Sequence, residues 1–183
     1  MLKSKISIKN LSFVVFISGI IFQLSNFPAP FVDEALYVNA GKRIQNGMYL
    51  YDGYSNWFNG SPFIWPLLSS VIHEYFGLVG SRILASIFTF ISLIYFWKLT
   101  NHLFNKSIAD WSLLLLSSNF YVISFAFIAV YDSMALCFFI MGYYFFQFEK
   151  PKTSALLLSL GIFTKYAMIG MLPILFIQSY ITK

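Results

Sequence analysis

The chain has 183 residues, of which 58% are hydrophobic, 21% aromatic and only 10% charged, with a formal net charge of +5. Soluble domains average about 45–50% apolar and about 25% charged residues, so a soluble enzyme, a disordered tail and a disulfide scaffold are excluded. A nucleic-acid partner is excluded as well, because the positive charge is spread along an oily chain and forms no patch.

Lys3, Lys5 and Lys9 precede an apolar run from Leu11 to Leu24. A secretory signal peptide begins this way, but no small-x-small cleavage site follows: the chain reads Asn26-Phe27-Pro28-Ala29-Pro30. An uncleaved span over 11–27, with its amino terminus in the cytoplasm, fits better. Residues 28–79 then form an outer loop too polar to span. Within it, Asp33 is placed to cap a helix running to Gly47, with the glycine as its stop signal. Leu36, Ala40 and Ile44 recur every four residues and predict an amphipathic helix at the interface.

The next apolar run, 62–78, is about 17 residues long, the short limit for a span. It also holds Pro62, Pro66, His73 and Glu74. If it lies on the outer surface, Lys3, Lys5, Lys9, Lys98, Lys106, Lys150, Lys152 and Lys183 are inside. Lys42, Arg43, Arg82 and Lys165 are then outside. That bias follows the positive-inside rule, and it vanishes if the run crosses. The remaining spans are expected at about 83–104, 109–131, 133–149 and 154–182, the last broken near Lys165. The predicted fold class is all-α: a polytopic transmembrane helical bundle with amphipathic outer-surface helices between its first two spans. The expected location is the plasma (inner) membrane. Cys137 stands alone in an apolar run and permits no internal disulfide.

In this topology Asp33, Glu34, Asp52, Glu74 and Asp132 gather at the outer face, whereas Asp110 and Glu149 lie inside. Charges at the mouth of an apolar bundle mark a functional site by default. The adjacent Asp33 and Glu34 suit a metal or a general base, or they are solvated acids at a helix start. Asp132 is the only charged residue between Asp110 and Glu149. It sits either at an outer turn or against a polar cavity. Lys165, deep in an apolar stretch, calls for a partner, which is a protein carboxylate or a lipid phosphate; otherwise it snorkels from a span end. Arg82 opens a span, and its fork suits phosphate or interfacial anchoring. His73 and Glu74 are neighbours that point about 100° apart on a helix and cannot chelate one ion together. No HExxH, CxxC, GxGxxG or P-loop is present, so neither a dedicated zinc site nor a nucleotide fold is visible.

The ordered set comprises a first span, Asp33-Glu34-Ala35-Leu36-Tyr37, Gly47-x-x-Leu50-Tyr51-Asp52 and Gly60-Ser61-Pro62 leading to Pro66-Leu67-Leu68. Ser81-Arg82-Ile83-Leu84, Asp132 and Gly161-Ile162-Phe163-Thr164-Lys165 complete it. It resembles the amino-terminal part of a GT-C membrane glycosyltransferase, in the branch of the protein O-mannosyltransferases and the lipid A aminoarabinose transferase. The resemblance implies an enzyme that moves a sugar from a polyprenyl-phosphate carrier to a lipid, glycan or protein acceptor at the outer membrane face. It implies Asp33 as the general base and Lys165 and Arg82 as donor-phosphate contacts, with Glu34 and Asp52 assisting donor or substrate binding. Asp132 would help hold a divalent metal or the donor phosphate; no nucleotide cofactor is expected. Many relatives carry a Glu-Lys pair where this chain has Ile64-Trp65. Family members are also usually much longer, so the chain resembles the front of such an enzyme, with a carboxy-terminal half as its missing partner. The alternatives are a small membrane transporter component and an inactive truncated remnant.

Overall fold

The computed structural model describes residues 7–48, 63–173 and 177. These residues are 86% helical and include no strand. Two helices are long and apolar enough to cross a membrane.

The first, α1 (Ile8–Asn26), starts where the Ser7 hydroxyl accepts the Asn10 N–H at 3.2 Å. Its buried line is Ser12, Phe16, Ile20 and Gln23, while Ile17, Ile21 and Phe22 are exposed. Helix α2 (Val32–Gln45) ends at Asn46 and Gly47, the glycine taking φ 72° as a helix stop often does. Two expectations are corrected here. Asp33 is not the N-cap but lies inside the first turn; the side chain that reaches back is Glu34, which accepts the Phe31 N–H at 2.8 Å. The packed face is Glu34, Tyr37, Val38, Ala40 and Gly41; of the expected line through Leu36, Ala40 and Ile44, Ala40 is buried, Ile44 is half-buried and Leu36 is exposed. Gly41 selects that face, because a Cβ there would overlap the Pro66 carbonyl and the Ser70 side chain.

Helix α3 (Ile64–Leu103) joins what the sequence divided into a surface helix and a span. The join is one residue: Gly77, at φ 65°, takes a conformation that glycine adopts without steric cost. The halves double back. Ser81 donates its hydroxyl to the Ser69 carbonyl at 3.1 Å, whereas twelve residues of straight helix span about 18 Å. The span expected at 109–131 is also divided, into α4 (Lys106–Ser117) and α5 (Phe120–Phe127), bent by 63°. Asn119 makes the break: its side chain accepts the Tyr121 and Val122 N–H groups at 2.9 and 3.3 Å and restarts the helix. If that pair is one crossing, it is a third candidate span. Helix α6 (Tyr131–Gln147) turns through Glu149 into α7 (Pro151–Thr164), where Ser154 donates to the Gly142 carbonyl at 2.8 Å. Lys165 is extended, and a 3-10 helix covers Tyr166–Met171.

The contacts define two ends. At one, Lys9 lies over the Trp97 ring at 3.7 Å, Trp97 donates to Asp110 at 2.7 Å, and His102 stacks on Phe148. At the other, α2, the 64–76 half of α3, the α5–α6 link and Lys165 converge. Between the ends, Phe16, Ile20, Leu93, Leu113, Ala126 and Phe127 form one core cluster. Tyr37, Trp65, Ala85, Ala129, Val130 and Met134 form a second beneath the converging segments.

Candidate functional site

Two ion pairs stand at the end where these segments converge. In the first, Arg82 of α3 donates from Nε to Glu34 Oε1 at 2.8 Å and from Nη2 to Glu34 Oε2 at 2.7 Å. The same guanidinium donates to the Phe27 carbonyl and, at 2.8 Å, to that of Ala29. The Glu34 carboxylate also accepts the backbone N–H of Phe31 and of Ala129, each at 2.8 Å. Four donors therefore fill the carboxylate's acceptor positions. Both side chains are buried, at 0 and 1% exposure, and the guanidinium stacks on the Phe127 ring at 4.3 Å. A buried charge pair is stable only when its geometry is close to ideal and its remaining polar atoms are satisfied; this pair meets both conditions. One side chain of α2 is thereby tied to the 27–31 link, to α3 and to the α5–α6 link.

The second pair is more open. Lys165 Nζ lies 2.5 Å from Asp132 Oδ1, with side-chain exposures of 26 and 34%. Asp132 stands in the first turn of α6, where a negative charge suits the helix dipole. Lys165 follows α7, with its chain extended. Its ammonium also faces the Tyr131 ring at 5.0 Å, and Tyr131 meets Tyr37 of α2 edge-on at 5.2 Å. Lys165 is thus matched by a protein carboxylate, one of the two partners its depth in the sequence called for. A cavity of about 220 Å³ borders Asp132 and is otherwise lined by Thr89, Val122, Phe125, Ser133, Leu136 and Met168.

Asp33 is exposed on the first turn of α2, one residue from Glu34. Asp52 lies outside the described residues. Glu34 comes together with Arg82, and Asp132 with Lys165; among the described residues Asp33 makes no hydrogen bond or ion pair with either, and the Ala129 N–H bonded to Glu34 ties one pair to the segment that leads into Asp132. The sequence marked Trp65 only as part of the Ile64-Trp65 departure from the resembled family and gave it no role. Trp65 is fully buried and donates from Nε1 to the Ala129 carbonyl at 3.1 Å, on the residue whose N–H binds Glu34.

The Asp132 carboxylate is matched to an ammonium, and the described residues contain no group of three His, Cys, Asp or Glu side chains able to hold a metal. No protein-family model matches the chain, and no curated protein or solved structure is significantly similar to it.

Proposed function

We propose that the chain is the catalytic front of a multi-pass membrane glycosyltransferase that takes its sugar from a polyprenyl-phosphate donor. The membrane reading draws support from an inverted surface: large apolar side chains such as Ile17, Ile21, Phe22, Val79 and Ile87 are exposed. Small polar ones, Ser12, Ser81, Thr89, Ser92 and Ser133, are buried between helices. Helices associating in lipid favour small residues at their contacts. Charge supports it too. Lys9, Lys98, Lys106, Lys150 and Lys152 fall on or beside the helix termini at the Trp97–Asp110 end. Lys42, Arg43, Arg82 and Lys165 fall at the other. With more cations at the first end, that end is cytoplasmic and the candidate site faces outward, at the plasma membrane.

Support for the enzymatic reading comes from the Lys165–Asp132 pair, whose Asp132 lines a cavity, on the same end as the exposed Asp33. In the reaction, an acceptor hydroxyl attacks the anomeric carbon of the donor sugar. Its proton passes to the Asp33 carboxylate, a general base. The bond from the anomeric carbon to the phosphate oxygen breaks, and the lipid phosphate leaves with the electron pair. Lys165 neutralises that growing charge, as a cation in a low-dielectric site does effectively. Asp132 holds the ammonium in place until the phosphate arrives. Glu34 and Arg82, saturated by each other and by backbone, fix the turn that carries Asp33 instead of binding the donor.

The roles separate in kinetics. Asp33→Asn is expected to lower kcat by at least about 100-fold, the low end for removing a general base, with the donor KM little changed. Lys165→Gln is expected to raise the donor KM and lower kcat together. Equal, modest effects on both parameters in both variants would contradict this assignment.

A further inference from the structure

We infer that Glu34 and Arg82 form a latch that sets the position of α2, and with it Asp33, against the body of the molecule. Gly77 divides α3, and Arg82 lies beyond it on the 78–103 half. The 64–76 half packs on α2 at Gly41, where Gln45 Nε2 also donates to Ser70 at 3.0 Å. Helix α2 and the 64–76 half therefore make one unit, joined to the 78–103 half through a single non-helical residue. Beside the apolar packing of Tyr37 and Trp65, buried bonds among the described residues tie this unit to the rest: Glu34 to Arg82, Glu34 to the Ala129 N–H, Trp65 to the Ala129 carbonyl, and Ser81 to the Ser69 carbonyl. Glu34 makes the charged ones.

The latch depends on fork geometry as well as charge. Arg82 uses Nε and Nη2 on the two carboxylate oxygens and its remaining reach on the Phe27 and Ala29 carbonyls. A lysine ammonium carries the same charge but cannot reproduce that planar set of donors. Arg82→Lys should therefore behave as a loss of the latch. The consequence for Asp33 as a base rests on the transfer reaction proposed above; the latch itself does not.

Thiol labelling in detergent solution tests the latch without any assay of transfer. Val38 is buried on the α2 face and Cys137 is buried in α6, so Val38→Cys reports on α2 while Cys137 reports on the body. With Glu34 and Arg82 intact, both thiols should resist a water-soluble maleimide. Arg82→Lys should raise labelling at position 38 at least tenfold and leave Cys137 protected. The double variant Glu34→Gln/Arg82→Gln removes both charges, so no buried ion is left unpaired, and it should do the same. Unchanged protection at position 38 in both variants would overturn the proposal. So would exposure of Cys137 alongside position 38, which would make the pair a support of the whole fold.

Discussion

Arg82 and Lys165 are both cations beside carboxylates, yet their surroundings assign them different work. Arg82 is buried with every contact satisfied inside the protein, whereas a quarter of the Lys165 side chain meets its surroundings. Removing one partner of a buried pair leaves an uncompensated charge, which costs about 3–5 kcal/mol. The Lys165–Asp132 pair is only part-buried, so either partner left alone can reach its surroundings. Arg82→Ala should therefore weaken the docking of α2 by about 3–5 kcal/mol, and Lys165→Ala should leave it nearly unchanged, as read from maleimide labelling of a cysteine at position 38. Comparable losses in the two would contradict the division between structural and reactive cation. The need for a partner at Lys165 was legible in the sequence, because a lone ammonium in an apolar stretch is costly. The Glu34–Arg82 pair was not. Arg82 opens an apolar run, where phosphate binding or anchoring suits it equally, and nothing local marks a partner 48 positions away.

At the scale of the element, the apolar runs were legible and their internal breaks were not. Hydropathy does not register that Asn119 can cap a new helix inside a span-length run, or that Gly77 can reverse one. The face of α2 was misjudged for a related reason. Periodicity marks the apolar line through Leu36, Ala40 and Ile44. The helix keeps Ala40 of that line buried but leaves Leu36 exposed and turns Glu34 and Gly41 inward, one to meet Arg82 and the other to let backbones approach. The two glycines differ in what they tolerate. At Gly41 a methyl group would meet the Pro66 carbonyl, which is backbone and yields little. Gly41→Ala should cost about 1–3 kcal/mol, as overpacking does, and should loosen α2. At Gly77 nothing lies within 4 Å of an added Cβ, so Gly77→Ala meets only backbone strain, of about 1–3 kcal/mol. It should leave α2 as protected from maleimide as before; exposure of α2 in Gly77→Ala and not in Gly41→Ala would reverse this ranking.

For the whole molecule, charge and hydropathy agree on one arrangement: cations richest at the Trp97–Asp110 end, the candidate site at the other, and apolar side chains facing outward between them. Lys42→Cys should then react with an impermeant maleimide on intact cells, and Lys152→Cys only after permeabilisation. Labelling of both from the same side would overturn the topology. The central claim is sugar transfer, and its most direct measurement is movement of labelled sugar from a polyprenyl-phosphate donor in membranes carrying this chain. Transfer above that of membranes lacking the chain, falling at least about 100-fold in Asp33→Asn, is the predicted result. No transfer by the wild-type chain, or equal transfer by Asp33→Asn, would contradict it.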